Sequence, residues 1–279
     1  MPEPNFNFTL SDQQRIHGRA WHPTETTRGV IVLVHGLGEH VERYDGWAKR
    51  FNRAGYVVIG SDHRGHGRSE GKRGHVSGYG IFLEEIDQLI GYAREHYAEQ
   101  PVFLYGHSLG GSIVLNYVLD RQPSIAGVVV TSPYIREATP QPALKIAAGR
   151  LLKNLLPSFT VPNDLPVEYV ATDPEVVAAY KSDPLVHDRV STTMGAEIMD
   201  AAKRLDEYSG NFPAPLLIMH AGEDHLTGEP GSAAFAERVG GDVLYRKWDG
   251  MYHEIHHDVN RSDVFDFTLD WMDRKNIVA

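Results

Sequence analysis

Residues 29–34, GVIVLV, form a run with no polar side chain to turn toward water. A strand of this kind is buried on both faces, as in a parallel sheet covered by helices. Comparable runs recur at 56–59, 102–105, 127–130 and 216–219, and a weaker one at 243–248. Helical patterns separate most of them, at 46–54, 80–97, 112–119, 232–239 and 264–272. Strands alternating with helices predict the α/β class, with a mostly parallel central sheet and helices on both faces. Before the first run, residues 6–10 alternate apolar and polar, SDQQ turns the chain, and 15–21 follows, which predicts a hairpin.

One connection is far too long for a crossover. Between Val130 and Leu216 lie 85 residues, where a parallel crossover needs about a dozen. This stretch holds 10 of the chain's 16 prolines, which punctuate short helices and loops. The expected organisation is a catalytic core of residues 1–133 and 209–279, with 134–208 inserted as a mostly helical cap. Within the cap, 143–159 carries an apolar stripe at Leu144, Ala147, Ala148, Leu151, Leu152 and Leu155. Its charges, Lys145, Arg150 and Lys153, are all basic. Such a helix suits transient contact with a lipid interface, or else closes the site by packing on the core.

The chemistry centres on residues 102–119, VFLYGHSLGGSIVLNYVL. An apolar run enters Gly106-His107-Ser108-Leu109-Gly110 and leaves as a helix, the strand–turn–helix context of the G-x-S-x-G nucleophile elbow. The turn strains the serine backbone and exposes its Oγ above the sheet, so its neighbours two positions away must be tiny. A serine nucleophile needs an oxyanion hole. The Leu109 amide is one expected donor, and the turn His35-Gly36-Leu37-Gly38 after the first parallel run offers the Leu37 amide as the other. The nucleophile also needs a base and a residue to orient it, in the order Ser, acid, His. Asp224, just past the run 216–219, is favoured as the acid, with Glu223, Asp242 and Asp249 as lesser candidates. His253, in the loop after 243–248, is the expected base, with His256 and His257 nearby; His220 reads as a packed core histidine.

His253-Glu254-Ile255-His256-His257 also matches the zinc-protease pattern H-E-x-x-H. The context argues against it: a strand and Gly250 precede it instead of a helix, and no Glu follows Glu254 to serve as a third ligand. The expectation is no metal and no cofactor. With 27 basic against 37 acidic residues, the net charge of −10 argues against a nucleic-acid partner. The absence of cysteine excludes disulfides, thiolate zinc sites and cysteine nucleophiles. No transmembrane segment is expected, since no stretch approaches ~20 apolar residues. The opening residues lack the features of a signal peptide. The expected location is cytoplasmic, with a peripheral place on membranes or lipid droplets as the alternative.

Several segments together resemble the monoacylglycerol lipase family of α/β-hydrolases. They are His35-Gly36-Leu37-Gly38-Glu39-His40 with Arg43-Tyr44, Asp62-His63-Arg64-Gly65-His66-Gly67-Arg68-Ser69, residues 106–111, Tyr180 with Ser182-Asp183-Pro184-Leu185, and Tyr252-His253. The resemblance implies an α/β-hydrolase fold with an inserted helical cap, and hydrolysis of long-chain monoacylglycerols. It implies that Glu39, Arg43, Tyr180 and His256 receive the glycerol, although Glu39 and Arg43 read equally well as a structural ion pair. The loop 62–69 reads as structural. In the implied mechanism His253, oriented by Asp224, takes the Ser108 proton, an acyl-enzyme forms, and water frees the fatty acid. The alternatives are a lysophospholipase or short-chain carboxylesterase and, outside enzymes, a ligand-binding protein of the same fold. A dehalogenase is disfavoured because its nucleophile is an aspartate.

Overall fold

The computed structural model describes residues 3–276, and all of their side chains except those of Ala143 and Lys145. In chain order the strands are β1 (Asn5–Thr9), β2 (Arg15–Trp21), β3 (Gly29–Val34), β4 (Tyr56–Ser61), β5 (Val102–His107), β6 (Gly127–Thr131), β7 (Thr160–Pro162), β8 (Arg189–Ser191), β9 (Leu216–Ala221) and β10 (Val243–Trp248). The helices are α1 (Asp45–Arg53), α2 (Gly80–His96), α3 (Leu109–Arg121), α4 (Ala143–Leu155), α5 (Pro174–Ser182), α6 (Thr192–Glu207), α7 (Glu229–Arg238) and α8 (Arg261–Asn276). Eight strands form one sheet in the order β1-β2-β4-β3-β5-β6-β9-β10. The β1–β2 hairpin joins antiparallel to β4, and every pairing from β4 to β10 is parallel.

The continuous apolar runs serve two cores at once. Val30, Val32 and Val34 of β3 point to a cluster that includes Phe82 and Ile86 of α2 and Ile113 and Val114 of α3. Ile31 and Leu33 point the other way, to Trp47 and Phe51 of α1 and Trp271 of α8. Each such side chain removed from water contributes about 1.5–3 kcal/mol. Alternation along the strand, with both faces apolar, is what spreads α1 and α8 over one face and α2 and α3 over the other.

The chain between β6 and β9 is more than a set of helices. Beside α4, α5 and α6, β7 and β8 pair antiparallel within it, a short ribbon in a mostly helical segment. Three-residue strands, one of them containing Pro162, are too short to leave a period in the sequence. Helix α6 buries Met194 and Leu205 in the same cluster as α3, while α4 lies outside and joins α6 through Arg150–Asp200 and Lys153–Glu197. The stripe on α4 is therefore divided. Ile146, Ala148 and Leu152 line a cavity, whereas Leu144, Leu151 and Leu155 are 83%, 65% and 69% exposed. Two of the helix's three basic residues are tied to α6, and the Lys145 side chain lies outside the described residues.

Candidate active site

The site assembles at the carboxyl ends of the parallel strands, where open α/β sheets collect their functional loops. Ser108 follows β5 directly and precedes the first residue of α3, with φ 53° and ψ −119°. A non-glycine residue in this region is strained and persists only when its surroundings impose it. Here they do. A Cβ on Gly106 would lie 2.5 Å from the Gly110 carbonyl oxygen, and one on Gly110 would overlap the carbonyl of Val34 on β3. The two glycines of the motif thus let the turn close against the neighbouring strand.

Ser108 and His253 line one cavity. His253 Nδ1 donates to Asp224 Oδ2 at 2.7 Å. Asp224 also receives the Leu226 and Thr227 amides on Oδ1, at 2.8 and 2.9 Å. The Thr227 hydroxyl reaches Oδ2 at 2.9 Å. Burial opposes ionisation of Asp224, but His253 beside it and the hydrogen bonds from His220 and His253 hold its carboxyl well below the usual range. Burial likewise disfavours a charged His253, yet the Asp224 carboxylate raises its pKa above that of a free imidazole. The lesser acid candidates stand apart: Glu223 is exposed, Asp242 pairs with Lys275, and Asp249 pairs with Lys247. His257 is bound to Glu254 and to the Arg43 carbonyl.

Gly36, Leu37 and Leu109 line the same cavity wall as Ser108. A Cβ on Gly36 would sit 3.2 Å from Ser108 Cβ and 2.9 Å from Glu39 Oε1, so loop, serine and carboxylate are in close approach. Glu39 Oε1 accepts the Gly36 amide at 2.6 Å and the Tyr44 hydroxyl at 2.8 Å. Arg43 bonds Glu39 at 2.5 Å and grips both oxygens of Glu254, at 2.6 and 2.7 Å. Burial works against the guanidinium charge, but the two carboxylates raise its pKa well above the ordinary value. Tyr180 stacks on Arg43, with the guanidinium 4.5 Å from the ring centre.

Of the four residues expected at a glycerol site, Glu39 and Tyr180 lie on the cavity wall, and Arg43 and His256 do not. Arg43 stands behind the wall, with both terminal nitrogens bound to Glu39 and Glu254. His256 is buried, stacks on Tyr44 at 4.8 Å, and has neither ring nitrogen partnered among the described residues. Burial pushes its pKa well down, which favours the neutral ring. Glu254 lies on the wall instead. Its role was not legible, because its partner Arg43 is 211 residues away in sequence. His220, read as a core histidine, is buried, yet its Nε2 lies 3.2 Å from Asp224 Oδ2. Continuous burial along β9 gives no sign of that contact.

Glu254, His256 and His257 each offer a ligand atom within 4.8 Å of the others. The segment is a turn rather than a helix, and Arg43 takes both oxygens of Glu254, so a cation there would face a guanidinium. The loop 62–69 serves as a brace. Asp62 Oδ1 accepts the Val41 amide at 2.8 Å and Oδ2 accepts the Arg68 amide at 2.7 Å.

Fold and site together define an α/β-hydrolase, a serine ester hydrolase. Residues 25–260 match the hydrolase family described as serine aminopeptidase, S33. A monoacylglycerol lipase of Mycolicibacterium smegmatis is 35% identical over 92% of this chain and 92% of its own length. The human monoglyceride lipase is 30% identical over 96% of this chain and 90% of its own. An uncharacterized abhydrolase domain-containing protein of Dictyostelium discoideum is 36% identical, and this chain spans 28% of its length. The crystal structure of Paleococcus ferrophilus monoacylglycerol lipase superposes with a TM-score of 0.84 at 33% identity, covering 93% of this chain and 99% of that one. The chain belongs to the monoacylglycerol lipase family.

Proposed function

We propose that this protein hydrolyses long-chain monoacylglycerols to fatty acid and glycerol through an acyl-enzyme on Ser108. The observation that carries this reading is a single cavity of about 680 Å³. Ser108, His253, Leu37 and Leu109 lie on its wall together with Ile146, Leu152, Ile198 and Met199 of the inserted segment. A volume of this size, mostly apolar with a few polar groups, suits a lipid-sized ligand. His253, oriented by Asp224, takes the Ser108 proton as Oγ attacks the ester carbonyl. The Leu37 and Leu109 amides hold the oxyanion. Protonated His253 then gives its proton to the leaving glycerol oxygen, and water activated by His253 releases the acid. Glu39, Tyr180 and Glu254 present the polar wall for the glycerol, with Arg43 and His256 supporting them from behind.

Residues 134–208 act in this reading as the cap over the acyl chain, and the exposed Leu144, Leu151 and Leu155 of α4 meet the lipid surface that holds the substrate. No helix among the described residues is long and apolar enough to cross a membrane, so the contact is peripheral. The test is a substrate panel: a long-chain mono-, di- and triacylglycerol, a lysophospholipid and a short-chain ester. Preference for monoacylglycerol supports the reading. Preference for the lysophospholipid, or cleavage of the short ester alone, replaces it with the corresponding esterase. A Phospholipase YtpA of Bacillus subtilis, 31% identical over 85% of this chain, makes the lysophospholipid arm necessary.

A further inference from the structure

We propose that Asp183, on the inserted segment, is a positioning residue for the loop 35–40, holding it where the Leu37 amide can reach the substrate oxyanion. The proposal rests on the reading of Leu37 as an oxyanion donor. That loop must be fixed closely, because a donor displaced by about 1 Å can lose on the order of a hundredfold in rate. Its core side is held by the Gly36 amide on Glu39, by the His63 amide donating to His35 Nε2 at 2.9 Å, and by Asp62 on Val41.

The other side is held by the inserted segment. His40 Nε2 donates to Asp183 Oδ2 at 2.9 Å. His40 is buried and its Nδ1 has no partner, so Asp183 is the polar anchor of this ring among the described residues. The second oxygen of Asp183 accepts the Leu185 amide at 2.8 Å and so shapes the turn that follows. That turn delivers the His187 amide to the Gly38 carbonyl at 2.8 Å. Gly38 has φ +78°, and a Cβ there would overlap the His187 carbonyl oxygen. The approach of the two backbones thus needs both the glycine and the turn made by Asp183. Two sequence segments singled out separately, His35-Gly36-Leu37-Gly38-Glu39-His40 and Ser182-Asp183-Pro184-Leu185, are the two sides of one joint.

The same part of the insertion also holds the histidine loop. The Tyr169 carbonyl accepts the His253 amide at 3.4 Å, the Val170 carbonyl accepts the Glu254 amide at 2.7 Å, and the Thr172 amide reaches Asp258 at 3.2 Å. Residues 167–187 are therefore bonded to both loops that act on Ser108, as a part of the catalytic framework.

The experiment compares Asp183→Ala, Asp183→Asn, His40→Ala and the His40→Ala/Asp183→Ala double variant with the wild-type chain. Each is measured on a water-soluble ester for kcat and KM, and for inhibition by two probes of the same acyl length. A trifluoromethyl ketone adds to the serine and places an oxyanion in the hole, whereas a fatty alcohol only fills the acyl site. Circular dichroism and Tm establish that each variant is folded. Asp183→Ala and His40→Ala are each expected to lower kcat about tenfold to a hundredfold and to weaken the ketone in proportion, leaving KM and alcohol affinity unchanged. The double variant should lose no more than Asp183→Ala alone, since the His40 bond is already gone in that variant. Asp183→Asn should recover most of the rate, because its one side-chain oxygen still accepts from the Leu185 amide and its NH2 group can donate to His40 Nε2 once the ring proton moves to the unpartnered Nδ1.

Wild-type kcat and ketone affinity in folded Asp183→Ala would overturn the proposal. So would a rise in KM with loss of alcohol affinity at unchanged kcat, which is what a merely structural cap anchor would give. Failure of the underlying site reading shows differently: the wild-type chain would then bind the ketone no better than the alcohol, which overturns both.

Discussion

In the proposed mechanism Asp224 is the residue on which the chemistry turns. Its carboxylate fixes His253 by a 2.7 Å bond to Nδ1 and, in that mechanism, stabilises the imidazolium formed when Ser108 loses its proton. Asp224→Asn preserves the shape but removes the charge and permits the wrong tautomer. It is expected to lower kcat by about 10³–10⁴-fold with KM little changed, measured by steady-state ester hydrolysis. The base must be neutral to act, so kcat/KM falls as pH drops through the His253 pKa. Burial depresses that pKa, but Asp224 raises it to a net value above the usual 6.5, so the acid limb should lie above about 6.5. In Asp224→Asn the limb should move to lower pH, since burial then acts without the opposing carboxylate. An acid limb below that of a free imidazole in the wild-type chain would count against this account of His253.

Between elements, what decides stability is whether a charge has water as an alternative partner. Arg43, from the stretch between β3 and α1, is buried between Glu39 and Glu254. Arg43→Met leaves two buried carboxylates without their cation, at a cost of about 3–5 kcal/mol, read as a fall in Tm. The linkage has a sign. Burial favours protonation of Glu254, but Arg43 and His257 hold its folded pKa well below the ordinary value. Its contribution is therefore present above the unfolded value of about 4.3 and is lost as pH falls through the folded one. Arg204, paired with Asp120 between α6 and α3 but half exposed, should behave otherwise: Arg204→Ala should change stability by no more than about 1 kcal/mol. Helix α4 gives an element-scale test of surface action. Leu151→Ser with Leu155→Ser should leave hydrolysis of a dissolved short ester unchanged and slow release from substrate held in vesicles or emulsion. Equal rates on vesicles would remove α4 from the lipid contact.

At the scale of the molecule, the sheet and the order of its functional loops were legible because the physics that writes them is local. Two-faced burial forces runs such as GVIVLV, and the elbow's crowding forces glycines at 106 and 110. The serine, acid and histidine could be placed because each follows a recognisable strand. What was not legible lies between segments distant in sequence. Nothing near position 254 announces Arg43, nothing in β9 announces that His220 touches Asp224, and the α4 stripe does not say which half faces the cavity. The H-E-x-x-H match shows the same limit from the other side, since only the folded chain reveals the Arg43 guanidinium on Glu254. Accordingly, prolonged chelation is expected to leave esterase activity intact, with loss on chelation and return on adding zinc as the contrary result.

Under the proposed function Ser108 carries the acyl group of a long-chain monoacylglycerol. Fatty-acid release from such a substrate is compared between the wild-type chain and Ser108→Ala at equal folded concentration. Turnover is expected from the wild-type chain, with a loss of about 10⁶-fold in kcat in the variant. Retained turnover in Ser108→Ala, or none in the wild-type chain, would contradict that function.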